Sequence, residues 1–127
     1  MLAFYDMMAT CSELIGVEDY ASLYNNDSLT TDHFDGISFA PTLLGQGKQQ
    51  QHEFLYWEFE ETDQVAVRMG NWKMVCEGGI PHLYNLAEDL HEDHDIADQH
   101  PDIVRQMIEI AHSQHTESPI SRLRCLD

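Results

Sequence analysis

The fold is decided by residues 54–86, which read FLYWEFEETDQVAVRMGNWKMVCEGGIPHLYNL. Apolar and polar residues alternate on both sides of Gly70-Asn71, a pair that is typical of two-residue hairpin turns. The aromatic run before Glu60 and the run after Gly78-Gly79 have the composition of two further strands. We therefore predict a four-stranded antiparallel meander over residues 53–86.

Helical periodicity flanks this meander on both sides. Within residues 101–115, apolar side chains recur three and four positions apart, and Pro101 suits the first position of a helix. A second apolar stripe within residues 1–16 predicts a short helix that ends at Gly16 and faces an apolar partner. Because a small meander needs a cover for its apolar face, we expect the later helix to pack on the sheet.

The resulting fold class is α+β, a small four-stranded antiparallel sheet with a packed C-terminal helix, preceded by a short N-terminal helix. With 127 residues, the chain is expected to form a single domain, residues 1–127. Residues 17–34 are rich in Asn, Asp, Ser and Thr and are predicted to be a loop. Residues 37–44 are a short apolar stretch, and residues 118–127 are expected to be a tail.

The charge of the chain excludes two classes of partner. The chain has 23 acidic residues and 6 Lys or Arg, for a formal net charge of −17. Such a surface repels nucleic acid and anionic lipid, so we expect no nucleic-acid partner. No apolar run approaches the length that crosses a bilayer, so we expect no membrane partner. The first residues lack the features of a secretion signal, and the compartment stays undetermined.

The three cysteines, Cys11, Cys76 and Cys125, lie far apart in the sequence. No C-x-x-C motif occurs, so neither a zinc knuckle nor a thioredoxin-type redox pair is indicated. We therefore expect three separate thiols, two of them in the core.

Histidines and carboxylates cluster at two places. The run His91–Asp95 has two histidines three residues apart, which is either a metal site or a solvated acidic loop, and the loop is favoured. His112 and His115 lie at the end of the predicted helix, where positive charge suits the helix dipole. No G-x-S-x-G motif occurs, so we assign no catalytic residue and no metal ligand. The aromatic run Tyr56–Phe59 either lines a sugar or aryl pocket or packs in the core, and packing is favoured.

An ordered series of short motifs runs along the chain. It consists of residues 35–45, Phe54–Phe59, Ala66–Lys73 and Leu83–Leu86, followed by Asp89, Glu92, Ala97 and His100-Pro101. Each piece is ordinary alone, but their order is specific. The series resembles the C-terminal part of the formylglycine-dependent arylsulfatase family, and the resemblance covers about residues 4–116, nearly the whole chain.

The resemblance implies a small subdomain that abuts a large catalytic α/β domain. In relatives, the helix of residues 1–16 belongs to that large domain. Family catalysis uses a formylglycine made from Cys or Ser in C/S-x-P-S/A-R, together with a calcium ion. That motif does not occur in this sequence, and residues 118–122 only approximate it. We therefore expect no cofactor in this chain, although complete family enzymes hold calcium and formylglycine.

The resemblance also implies a role for two residues in a complete enzyme. Trp57 and Glu60 are expected at the rim of the substrate pocket, and many relatives have His where this chain has Glu60. The functional expectation is a C-terminal fragment of an arylsulfatase-like sulfuric ester hydrolase that is inactive alone. Its expected partner is the missing catalytic domain or a second copy bound through exposed apolar surface around Phe4, Met8 and Leu43. The alternative is a stand-alone binding or dimerisation module that retained the fold. Relatives are often periplasmic or secreted.

Overall fold

A computed structural model of the protein describes residues 1–17, 35–119 and 122–126. The loop predicted for residues 17–34 lies outside the described residues, apart from Val17. The chain divides into two compact units, Met1–His52 and Glu53–Asp127, and each is described by itself. The prediction that residues 1–127 form a single domain stays a prediction.

The described elements give the α+β fold that was predicted from the sequence, with four strands and helices on both sides of them in the chain. The N-terminal unit contains α1 (Asp6–Leu14) and α2 (Ala40–Leu44). The C-terminal unit contains β1 (Leu55–Phe59), β2 (Gln64–Met69), β3 (Trp72–Glu77), β4 (Ile80–Asn85) and α3 (Pro101–Gln114), with 3-10 helices at Glu60–Thr62 and Ala97–Gln99.

The four strands form one antiparallel sheet in the order β1-β2-β3-β4, which is the predicted meander. Alternate residues of β2, β3 and β4 are buried on one face of the sheet, against α3. This core of the C-terminal unit consists of Val65, Val67, Met74, Cys76, Leu83, Val104, Met107, Ala111 and Leu123. The opposite face carries Ala66, Arg68 and Lys73, because side chains alternate along a strand.

Glycines set the two tight hairpin turns. Gly70 has a φ of 58° between the paired residues Met69 and Trp72. The next turn uses Gly78-Gly79, and both of its residues have a positive φ, 61° and 90°. These backbone angles are in the left-handed region that glycine adopts at low cost, and they match the right-handed twist of the flanking strands.

Replacing Gly70 with alanine is expected to lower the free energy of unfolding by about 1 kcal/mol, because an L-residue is strained at positive φ. A Cβ atom at this position would meet no atom within 4 Å, so only the backbone conformation contributes. Urea denaturation followed by tryptophan fluorescence measures the change. The matched control is Asn71→Ala in the same turn, expected to change the free energy by less than about 0.5 kcal/mol. Equal losses in the two variants would contradict this explanation.

In the N-terminal unit, α1 buries its polar side and exposes its apolar side. The buried residues of α1 are Asp6, Ala9 and Thr10. The side chains predicted to face an apolar partner are largely exposed, and Phe4, just before α1, is 92% exposed. The expectation of exposed apolar surface at Phe4, Met8 and Leu43 is thus confirmed, and the apolar partner of this helix stays a prediction.

The buried polar side of α1 forms a hydrogen-bond network around Asp6. The Asp6 carboxylate accepts hydrogen bonds from the Ala3 N–H at 2.7 Å, the Ile37 N–H at 2.8 Å and His52 Nε2 at 2.8 Å. Thr10 Oγ1 donates to the Asp6 carbonyl at 2.7 Å and accepts from the Phe39 N–H at 3.0 Å. A carboxylate can stay buried because these donors replace its water.

The last described segment, Arg122–Leu126, is attached to the sheet. Leu123 is buried in the core, and Cys125 forms a disulfide with Cys76 of β3, their Cα atoms 6.3 Å apart. The prediction of three separate thiols is therefore wrong for Cys76 and Cys125, and only Cys11 is free. Sequence spacing did not reveal the pair because the two cysteines are 49 residues apart and tertiary packing brings them together.

Among the described residues, no helix combines the length and the apolar character needed to cross a membrane.

Candidate functional site

A shallow pocket of about 470 Å³ lies on the sheet face opposite α3. Its walls come from β1, β2, β3 and the loop after β4, and it is lined by Trp57, Ala66, Arg68, Lys73, Leu86, Leu90 and Glu92. The strand register explains the floor, because Trp57 pairs with Ala66 and Arg68 pairs with Lys73. Neighbouring strands thus bring an indole ring and two cations onto one face.

The apolar part of the pocket is centred on Trp57. Its side chain is 42% exposed, and it stands across from the small Ala66 on the neighbouring strand. Leu90, which is 75% exposed, adds a second apolar wall. An exposed indole beside small and aliphatic residues is a surface on which a flat or ring-shaped group can stack.

The polar part of the pocket carries an excess of one positive charge in a strongly acidic chain. The Lys73 ammonium donates to both oxygens of Glu92, at 2.6 and 2.7 Å, and so is largely neutralised. Glu92 has a φ of 61°, a conformation uncommon for a residue other than glycine. Arg68 Nε is buried and has no hydrogen-bond partner among the described residues. The Arg68 side chain lines the pocket, so its guanidinium is the positive charge that the Lys73–Glu92 pair leaves there.

Glu60, the other residue predicted at a substrate rim, does not line this pocket. It is exposed and begins the 3-10 helix Glu60–Thr62 between β1 and β2. The structure therefore places Trp57 in the pocket and Glu60 in the following turn. That both residues lie at the rim of a pocket in a complete enzyme stays a prediction.

A second group of polar side chains, Tyr56, Glu58 and His115, lies on the α3 side of the sheet. Tyr56 donates its phenolic proton to Glu58, and His115 Nδ1 lies 2.8 Å from the same carboxylate oxygen. Burial opposes ionisation of Glu58, but the hydrogen bonds from Tyr56 and His115 outweigh it and lower the pKa of Glu58. Burial, with the Glu58 hydrogen bond and charge, raises the pKa of the Tyr56 phenol. This group links β1 to the end of α3.

Sequence reasoning did not detect this link. Its only sequence signal is that Tyr56 and Glu58 are two residues apart, which puts both on one face of a strand. Nothing in the local sequence connects them to His115, 57 residues from Glu58.

The histidine-rich loop uses its charged groups for internal contacts. Glu92 pairs with Lys73, His94 Nδ1 lies 3.7 Å from Asp89, and Asp95 lies 2.8 Å from His82 Nδ1. Burial raises the pKa of Asp95, but the Leu83 and Ala97 amides and the His82 ring outweigh it, so that its pKa lies below the ordinary value.

The expectation that this chain holds no cofactor stays a prediction. Among the described residues, no group of three His, Cys, Asp or Glu side chains is arranged to hold a metal ion. The sequence also lacks the C/S-x-P-S/A-R motif from which formylglycine is made.

Comparison with known proteins shows which solved structures have a similar fold. No family model and no curated protein matches the chain. A sulfatase structure from glycosaminoglycan metabolism by Bacteroides thetaiotaomicron matches 83% of this chain, with a TM-score of 0.57 and 24% identity. The chain has the fold of part of a sulfatase.

Two further structures show the same sulfatase fold. A protein of Bacteroides thetaiotaomicron assigned as a sulfatase has a TM-score of 0.59 and 23% identity over 83% of the chain. A 2-O glycosaminoglycan sulfatase has a TM-score of 0.58 and 23% identity over the same share. The chain spans only 22% to 23% of the length of these three structures, a share that is consistent with the predicted C-terminal subdomain. The resemblance stated from the sequence is confirmed at the level of fold.

Proposed function

We propose that this chain is the C-terminal subdomain of an arylsulfatase-like sulfuric ester hydrolase, and that it hydrolyses no sulfate ester by itself. The observation that carries the proposal is the sulfatase fold over 83% of the chain. The sequence runs that resemble the family lie on the elements of this fold, with Phe54–Phe59 on β1, Ala66–Lys73 on the β2–β3 hairpin and Leu83–Leu86 on β4. The nucleophile and the calcium ligands would come from the catalytic domain.

In this proposal the pocket around Trp57 binds the aryl or sugar part of an anionic substrate. The Trp57 indole offers a stacking surface, and the Arg68 guanidinium, which also lines the pocket, offers positive charge to an anionic oxygen. The Lys73–Glu92 pair fixes the pocket wall and limits its net charge. These residues bind and orient a ligand, and none of them attacks a sulfate ester.

The first test is an activity assay of the pure chain. With p-nitrophenyl sulfate and calcium present, we expect release of p-nitrophenol no faster than in buffer, because no nucleophile motif occurs in the sequence. Sequencing the DNA upstream of the Met1 codon is expected to reveal C/S-x-P-S/A-R in the same or a shifted frame. Turnover by the pure chain would contradict the predicted inactivity, and absence of the motif upstream would contradict the sulfatase origin.

The second test is binding of phenyl sulfate, followed by the NMR chemical shifts of Ala66 and Leu90. We expect Trp57→Ala to weaken binding about tenfold, because the ring loses its stacking partner. We expect Glu92→Gln to strengthen binding about threefold, because it removes the carboxylate that neutralises Lys73. Inorganic sulfate is the control ligand, whose affinity should be insensitive to Trp57→Ala. No shift at Ala66 or Leu90 with phenyl sulfate would contradict a binding role for this pocket.

A second candidate function is a stand-alone binding or dimerisation module. It is favoured by the exposed apolar side chains in and beside α1, where Phe4, Met7, Met8, Leu14 and Ile15 are exposed. Static light scattering tests this candidate, because a dimerisation module forms a defined dimer without any other chain. A monodisperse monomer would argue against it.

A further inference from the structure

The C-terminal segment meets the sheet at the turn that carries Glu60. Arg124 donates its backbone N–H to Asp63 Oδ1 at 2.8 Å and its Nε–H to Asp63 Oδ2. Asp63 immediately follows the 3-10 helix Glu60–Thr62, and its own N–H donates to the Glu60 carbonyl at 3.1 Å. The Asp63 backbone has a φ of 54°, so its conformation needs support from its contacts. Arg124 supplies two of these contacts.

Two anchors hold Arg124 at this turn. Leu123 on one side is buried in the core, and Cys125 on the other side is bonded to Cys76, which is fully buried in β3. Gly79 leaves room for the segment, because an added Cβ would lie 3.3 Å from the Arg124 Cβ. The neighbouring Gly78 N–H donates to the Asp63 carbonyl at 3.0 Å and so connects both turns.

We infer that these contacts form a redox-switched C-terminal clasp, which consists of the Cys76–Cys125 disulfide and the Arg124–Asp63 ion pair. The clasp orders the Glu60–Thr62 turn, and thiol–disulfide exchange opens and closes it. Arg124 is a positioning residue in this scheme. The inference rests on the sulfatase origin proposed above in one respect, namely the expectation from the family resemblance that Glu60 lies at the substrate rim of a complete enzyme, where ordering the turn would regulate that rim.

The ion pair alone contributes little to the stability of the clasp. The Arg124 side chain is 71% exposed, and exposed ion pairs are screened by water. Hydrogen bonds from the Arg124 backbone and side chain nevertheless lower the pKa of the Asp63 carboxyl, so that the pair is charged at neutral pH. Since the pair is weak, the disulfide is what keeps Arg124 near Asp63.

The exchange reaction requires a dithiol as reductant. Cys76 is fully buried and Cys125 is half-buried, so a thiolate of the dithiol attacks the Cys125 sulfur. The Cys76–Cys125 bond breaks, its electron pair passes to Cys76, and Cys76 takes up a proton. The second thiol of the dithiol then attacks the mixed disulfide and releases Cys125 as a thiol. Two electrons and two protons have moved to the protein, and the dithiol has become a disulfide.

The test compares backbone order in the folded protein with and without dithiothreitol. NMR order parameters of residues 60–63 are expected near 0.85 in the oxidised chain and below about 0.6 after reduction. Those of β3 and α3 are expected to stay unchanged, because strand pairing and the packing of α3 persist in the folded state, which the disulfide stabilises mainly by constraining the unfolded chain. Cys125→Ser should reproduce the reduced state without dithiothreitol, and Cys11→Ser should not, because Cys11 forms no disulfide.

Substitutions of arginine separate positioning from general stability. With the disulfide intact, Arg124→Ala should loosen residues 60–63, and Arg124→Lys should restore part of their order. Arg122→Ala is the matched control, since Arg122 is an exposed arginine of the same segment. Unchanged order at residues 60–63 after reduction would overturn the inference, and so would an equal loss of order throughout the sheet. These results do not depend on sulfate ester chemistry, so failure of the clasp and failure of the proposed function are distinguishable.

Discussion

Replacing Asp6 with alanine is expected to lower the free energy of unfolding of the N-terminal unit by about 3–5 kcal/mol. The Asp6 carboxylate is completely buried and accepts hydrogen bonds from the Ala3 and Ile37 amides and from His52. Alanine would leave all three donors without this acceptor, and unpaired buried donors are costly. The loss can be measured from the NMR signals of Ala9 and Ile37 along a urea titration.

The matched control for Asp6 is Glu13→Ala, which removes an exposed carboxylate from the same helix. It is expected to change the free energy by less than about 0.5 kcal/mol. If the two alanine variants were equally stable, the buried network would not be what holds α1 in place.

Asp6 also predicts a pH dependence. Burial raises its pKa, but the Ala3 and Ile37 amides and the His52 ring outweigh burial and hold the pKa below the ordinary value. A lowered carboxyl pKa stabilises the folded state fully above the unfolded pKa of about 3.9, and this stabilisation is lost as the pH falls through the folded pKa. The stability difference between the wild type and Asp6→Asn should therefore shrink below about pH 4. A difference that grows in acid would show the opposite sign and contradict this assignment.

Replacing Cys125 with serine is expected to lower the free energy of unfolding of the C-terminal unit by about 4 kcal/mol. The disulfide closes a loop between residues 49 apart in the sequence, and its loss frees the unfolded chain to adopt many more conformations. Urea denaturation followed by tryptophan fluorescence reports this unit, because Trp57 and Trp72 both lie in it.

Two controls accompany the Cys125 variant. Cys11→Ser makes the same chemical change at a free, exposed cysteine and should change the free energy by less than about 0.5 kcal/mol. Dithiothreitol should lower the stability of the wild type to that of Cys125→Ser and leave the variant unaffected. If dithiothreitol destabilised both proteins equally, the loss would have another cause than this disulfide.

The strands and the long helix were predictable because their signals are local. Alternation around Gly70-Asn71 reports the two faces of a hairpin, and the three-four spacing after Pro101 reports one face of a helix. The short helix Ala40–Leu44 was missed, although Pro41 in its first turn and Gly45 after its last residue are typical boundary signals. Residues 37–44 were predicted only as a short apolar stretch, because a run of this length does not distinguish a helix from a strand by periodicity.

The candidate site was only half predictable. For the aromatic run, packing in the core was favoured, and the family resemblance implied a rim position for Trp57, which the structure places in the pocket. Arg68 and Lys73 flank the Gly70-Asn71 turn in the sequence, but their place beside Glu92 depends on the loop after β4 folding back onto the sheet. No pattern within a few residues of the sequence predicts that this loop brings Glu92 back to Lys73.

The sequence by itself determined the elements and the charge of this protein. Side-chain periodicity determined which residues of the meander and of α3 are buried, because backbone geometry repeats every two residues in a strand and every 3.6 in a helix. Only the tertiary structure decided the partners of Asp6, Asp63 and Cys76, which are His52, Arg124 and Cys125. These pairs are 46, 61 and 49 residues apart, so they form only when chain collapse brings distant segments together. Local periodicity carries no information about such contacts.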